Sequence, residues 1–141
     1  MERSKTSAKS ARASRAPILV LAQPSAETDD LLEPLVRRAD LILLRVADIN
    51  GAELALRDVA VSLVLVCPET DSESVTEILD CTNQLRPGTP VLAVRARSGA
   101  LAPEWKGRTI GVLRCPVLPD VLSRSVDVAL GLAAGPRTTS K

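Results

Sequence analysis

The sequence predicts an α/β fold: a doubly wound, five-stranded parallel sheet of order 2-1-3-4-5, with helices on both faces. Three observations predict it. Five near-continuous apolar runs rich in Val, Ile and Leu are spread along the 141 residues, and stretches with a 3.6-residue apolar repeat lie between them. Runs that are apolar throughout, rather than alternating, suit strands covered on both faces. Regular β–α alternation implies parallel pairing with right-handed crossovers, and five such strands suit the 2-1-3-4-5 winding.

Residues 17–21 (PILVL) form the first strand. Leu31, Leu32, Leu35, Val36 and Ala39 then give one apolar stripe of a first helix. Its start has two readings. Asp30 and Glu33 can form a capping box, or the helix starts at Ser25 and kinks at Pro34, which lacks a backbone donor. Residues 40–46 (DLILLRV) are the second strand, 50–58 a short second helix and 61–66 (VSLVLV) the third strand. Thr70 with Glu73 offers a capping box to a third helix striped by Val75, Ile78, Leu79, Thr82 and Leu85. Arg37 and Arg38 follow the first helix and Arg86 the third, which complements the helix dipole. Residues 89–94 (TPVLAV) are the fourth strand. Gly99, Pro103 and Gly107 leave residues 98–107 at most a short or broken fourth helix. Residues 109–113 (TIGVL) are the fifth strand, and Leu122, Val126, Ala129, Leu130 and Ala133 stripe the last helix.

Composition narrows the function. With no Phe, no Tyr and one Trp, the core is built from Leu, Val, Ile and Ala. The absence of His removes the commonest general base and metal ligand. The three cysteines, Cys67, Cys81 and Cys115, have neither disulfide-framework nor zinc spacing, which fits a reducing cytoplasm. No apolar run reaches the ~18–20 residues that span a bilayer. Residues 1–16 carry five basic side chains and one acid and read as a disordered basic tail. Residues 17–133 form one domain of net charge −5, and 134–141 a flexible tail. An acidic body argues against a nucleic-acid surface, so any such contact falls to the basic tail. No Gly-rich phosphate loop and no carboxylate pair flanked by a base is present. The expectation is therefore no enzyme and no cofactor. The high Ala, Arg, Leu and Val content fits a GC-rich bacterial genome.

Several segments resemble, in order and spacing, the receiver domain of bacterial response regulators. Ile18-Leu19-Val20-Leu21 resembles its first strand and Asn50-Gly51-Ala52-Glu53 the opening of its second helix. Leu63-Val64-Leu65-Val66 resembles its third strand, Pro90-Val91-Leu92-Ala93-Val94 its fourth, and Cys115-Pro116 the Lys-Pro that ends its fifth. The resemblance covers about residues 17–133. It implies five chemical positions at the C-terminal edge of the sheet, and this chain departs at each. The family's magnesium-binding acidic pair is here Ala22 and Gln23. Its phosphoryl-accepting aspartate is Cys67, its Thr or Ser is Arg95, its lysine is Cys115, and its switch aromatic is Val112. The resemblance therefore implies a degenerate, pseudo-receiver member that keeps the fold and loses phosphorylation.

Two functional readings follow. One is a signalling or scaffolding module acting through protein–protein contact, with a second copy of the chain among the candidate partners. The face that the family uses for partners would include Trp105, Arg108, Arg114, Asp120 and Arg124. The other is a small-anion or redox sensor using the altered pocket of Cys67, Arg95 and Cys115, with Arg95 lowering a thiol's pKa or binding the anion; Arg95 can instead bridge to Glu69 or another nearby acid and lock one conformation. Cys67 and Cys115 fall on strands separated by a third, so their Cα atoms lie roughly 10 Å apart, too far for a disulfide.

Overall fold

A computed structural model describes residues 15–96 and 109–134. Nine elements follow in the order β1 (Ala16–Leu21), α1 (Ala26–Val36), β2 (Leu41–Val46), α2 (Ile49–Asp58), β3 (Leu63–Val66), α3 (Ser72–Leu85), β4 (Val91–Arg95), β5 (Gly111–Arg114) and α4 (Pro119–Ala134). The strands form one sheet of order β2-β1-β3-β4-β5, and every pairing is parallel. The predicted winding is thus observed. The expectations for residues 1–14, 97–108 and 135–141 (the tails, the fourth helix, Trp105 and Arg108) lie outside the described residues.

The apolar runs become strands because the sheet has no wet face at its centre. All four residues of β3 are fully buried. Ile18, Val20, Leu63, Leu65, Leu92 and Val94 pack on one side against Leu32 and Leu35 of α1 and Leu122 and Val126 of α4. Leu19, Leu21, Val64, Val66, Val91 and Ala93 pack on the other against Ala52 and Leu56 of α2 and Val75, Ile78 and Leu79 of α3. The period-2 geometry of a strand sends alternate residues of one apolar run to each of these two cores.

Several boundaries correct the sequence reading. Strand β1 begins one residue earlier than expected, because Ala16 donates its N–H to Asp40 O at 2.8 Å. Helix α1 starts after Ser25, whose side chain accepts from Thr28 N, and runs through Pro34 to Val36, so the Asp30 capping box does not form. Pro34 lies in the last turn, where the lost donor is one bond near a helix end. Helix α3 is capped by Asp71, which accepts from Ser74 N, and not by Thr70. The carboxylate is the charged acceptor and suits a helix N-terminus. Strand β4 reaches Arg95, and β5 starts at Gly111 rather than 109.

Arginines after helices serve neighbouring elements. Arg86, just past α3, donates Nε to Leu56 O at 2.7 Å and Nη2 to Arg57 O at 3.4 Å, so it satisfies carbonyls at the C-terminus of α2. Arg38, past α1, ties the start of β2 to α4: it donates to Asp40 and Asp127 at 2.7 Å each and to Ser123 Oγ at 2.9 Å. Its guanidinium holds the Asp40 carboxyl below the usual carboxylate range.

Candidate functional site

The strands end nearly level, which brings the loops after them to one edge. Leu21 pairs with both Val46 and Val66, and Val66 with Ala93. Residues immediately beyond those ends therefore converge. Cys67 N donates to Leu21 O at 3.0 Å, Ala22 N to Val46 O at 2.9 Å and Cys115 N to Arg95 O at 2.9 Å. Ala22, Gln23, Cys67, Arg95 and Cys115 all lie along this C-terminal edge.

What they do there differs in part from expectation. Ala22 is buried in the core beside Cys67. Gln23 is exposed and donates its amide Nε2 to Ala47 O at 2.8 Å. Cys67 is fully buried, and its thiol is pushed up to about 12, first by burial and then by the charge of Glu69. The cation that opposes this rise is Arg45, not the expected Arg95. Burial also raises the half-buried Cys115 thiol. All three cysteines are free, and the strand order keeps Cys67 and Cys115 apart.

Arg95 is 6% exposed and donates Nη1 to the Thr70 carbonyl at 2.7 Å. Burial and the neighbouring Arg114 lower its pKa, and Asp71 opposes them. The expected pair with Glu69 does not form. Glu69 turns away to α1, where the Thr28 hydroxyl reaches its two carboxylate oxygens at 3.0 and 3.1 Å. Ser25 Oγ lies 3.1 Å from Glu69 Oε2 and 3.0 Å from Thr28 Oγ1, with one proton to share between them. Thr28 is buried, so its hydroxyl needs a partner, and a carboxylate at a helix N-terminus is well placed to supply one.

These residues do not fit magnesium, which takes hard oxygen ligands. A methyl, an amide and a buried neutral thiol stand at the three positions. A small polar cavity of about 80 Å³ opens beside them, lined by Gln23, Asp48, Glu69, Asp71 and Ser74 among others. Its carboxylates are already engaged: Asp48 accepts from Gly51 N at 2.8 Å, Asp71 from Ser74 N at 2.7 Å, and Glu69 from α1. Among the described residues no group of three or more His, Cys, Asp or Glu is placed to hold a metal ion.

Of the expected partner face, Arg114, Asp120 and Arg124 are described, and all three are exposed. Arg114 Nη1 donates to Ala96 O at 3.3 Å. Arg124 lines a groove of about 290 Å³ at the outer edge of the sheet, together with Leu92, Ile110, Gly111, Val121 and Val128. The groove was not anticipated. Gly111 helps to form it, since an added Cβ there would stand 3.5 Å from Leu92 Cδ1. A glycine within a strand pattern is the signal that points to such a gap.

No protein-family model matches the chain, and no curated protein sequence matches it. Solved structures do. The signal receiver domain of a putative LuxO repressor protein from Vibrio parahaemolyticus superposes with a TM-score of 0.74 at 18% identity, covering 90% of this chain and 98% of that one. A CheY-like response-regulator receiver domain from Methanospirillum hungatei JF-1 gives 0.70 at 19% identity, covering 86% and 98%. The receiver domain of sensor histidine kinase PA1611 from Pseudomonas aeruginosa PAO1, which has magnesium coordinated in its active-site cleft, gives 0.65 at 15% identity, covering 83% and 98%. The chain has the receiver-domain fold. No helix among the described residues is long and apolar enough to cross a membrane.

Proposed function

We propose that this chain is a non-phosphorylatable receiver-fold module of two-component-type signalling, and that it acts through protein–protein contact. The observation that carries the reading is Cys67. Where the family's acceptor carboxylate would stand, this chain has a fully buried thiol in the core with Ala22, and Arg95 on the same edge is bonded to the Thr70 carbonyl. A phosphoryl acceptor needs a nucleophilic oxygen, a metal and a counter-charge in one place. The side chains at these positions offer no nucleophilic oxygen and no metal ligand set, and the cation among them, Arg95, is buried and bonded to the Thr70 carbonyl.

The alternative, a redox or anion sensor, is disfavoured by the same facts. A reactive thiol is exposed and held low in pKa, whereas Cys67 is neither. For the enzyme reading, the hydroxyls that meet a carboxylate among the described residues, Ser25 and Thr28 on Glu69, are engaged as the N-cap of α1 and as a buried side-chain bond. For the contact surface, the exposed Arg114, Asp120 and Arg124 and the apolar groove beside them support the β5–α4 side, with Trp105 and Arg108 assigned to the same face by sequence alone.

The test is thermal unfolding with magnesium and beryllofluoride, alone and together. The expected result is an unchanged midpoint. A rise of several degrees with the pair would overturn the reading. Light scattering across a concentration series, with Arg124→Glu as the comparison, then separates self-association from contact with another protein.

A further inference from the structure

One loop is held from both sides. Residues 67–71 join β3 to α3. On one side Glu69 accepts from the Thr28 hydroxyl at 3.0 and 3.1 Å, with Ser25 Oγ at 3.1 Å. Ser25 is also the N-cap of α1 and accepts from Thr28 N at 3.1 Å. On the other side the next residue, Thr70, accepts from Arg95 Nη1 at 2.7 Å. The loop's own bonds complete the hold: Thr70 N to Cys67 O at 3.1 Å, Cys67 N to Leu21 O at 3.0 Å, and Ser74 N to Asp71 Oδ1 at 2.7 Å.

Both attachments use a charged partner; the Arg95 bond is buried, and at the other the Thr28 hydroxyl is buried while the Glu69 carboxylate is exposed. Thr28 is 1% exposed and Arg95 is 6% exposed. Hydrogen bonds with an ionised donor or acceptor are roughly twice as strong as neutral ones. The two attachments also act on adjacent residues from opposite directions. Glu69 ties the loop to the start of α1 on one face, and Arg95 ties it to the end of β4. Swinging the loop either way breaks one of them.

We propose that Glu69 and Arg95 form a two-sided clamp that keeps the β3–α3 loop in a single conformation without any ligand. As the device that fixes the surface of an unphosphorylated module, the clamp rests on the interaction-module reading; the closure of the loop does not. A bound phosphoryl group is then unnecessary for order at this edge, because a side-chain carboxylate and a guanidinium supply the charges internally.

Amide hydrogen exchange on the full chain, without a partner, tests the clamp. The variants are Glu69→Ala and Thr28→Val, which remove the two ends of one attachment; Glu73→Gln, on the exposed side of α3, is the control. In both test variants the amides of Thr28 and Thr70 should exchange roughly tenfold or more faster than in the wild type. The amide of Val64, bonded to Pro90 O inside the sheet, should hold its rate. Unchanged rates at Thr28 and Thr70 in both variants would overturn the clamp. So would an equal acceleration at Val64, which would mean that the residues serve only global stability. The exchange result and the beryllofluoride result are independent, so failure of one leaves the other readable.

Discussion

Restoring a carboxylate at Cys67 should weaken the protein rather than revive a phosphorylation site. Cys67 is fully buried, and its thiol is raised from an ordinary 9.0 to about 12 by burial and by Glu69. An aspartate at that point meets the same two effects. Raised by about the same 3, its pKa would move from about 3.9 to roughly 7. Holding it ionised then costs about 4 kcal/mol, a large part of the ~5–15 kcal/mol that stabilises a typical domain. The sign follows from the raised value. The neutral acid is tolerated below the unfolded-state pKa, near 4, and the loss develops as pH rises toward the folded-state value, near 7. Urea unfolding followed by far-UV circular dichroism, at pH 4.5 and at pH 7, measures this for Cys67→Asp and wild type. The gap between them should widen by several kcal/mol at the higher pH. A variant as stable as wild type at pH 7, or one that magnesium and beryllofluoride restore, would refute the reasoning.

In the wild type the same raised thiol makes stability fall between about pH 9 and 12, because the unfolded thiol ionises first; denaturation midpoints against pH show it. A thiol reagent at pH 8 should label Cys67 only on unfolding, well after the partly exposed Cys81 and Cys115. Arg86→Met removes donors from the Leu56 and Arg57 carbonyls and should cost about 1–3 kcal/mol, with faster exchange confined first to the end of α2. Gly88 sits at φ +91 in open space, so Gly88→Ala should cost about 1–2 kcal/mol through backbone strain alone, read as a lower Tm.

The sheet is legible in the sequence because burial on both faces leaves an unmistakable mark. A run such as Leu63–Val66 has no polar residue to spare for solvent, and the structure buries all four. Helix starts are less legible, because several side chains can cap and only one does. Thr70 is the cap expected for α3, and the adjacent carboxylate, Asp71, takes the place. The convergence of Ala22, Gln23, Cys67, Arg95 and Cys115 follows from strand order and was readable. The partners were not. Glu69 and Arg95 both fall at the C-terminal edge of the sheet, which suggests the pair, yet a buried Thr28 hydroxyl claims the one and a backbone carbonyl the other. Pair choices of that kind depend on distances that no spacing rule contains. Arg86 shows the same limit: its position past α3 reads as a dipole partner for that helix, while its nitrogens reach α2.

Strand order also has a temporal side. Strands β2, β1 and β3 are neighbours in space, and all three come from residues 16–66. As the chain leaves the ribosome, this half can pair its strands with nothing still to be synthesised between them. The sheet then grows at one margin only, first by β4 and next by β5. Among the described elements the core face shared by α1 and α4 is the last to be covered, since Leu122, Val126 and Ala129 follow all five strands. A ribosome stalled late in synthesis should therefore carry a protected three-strand nucleus with one bare flank, the flank that a chaperone would find.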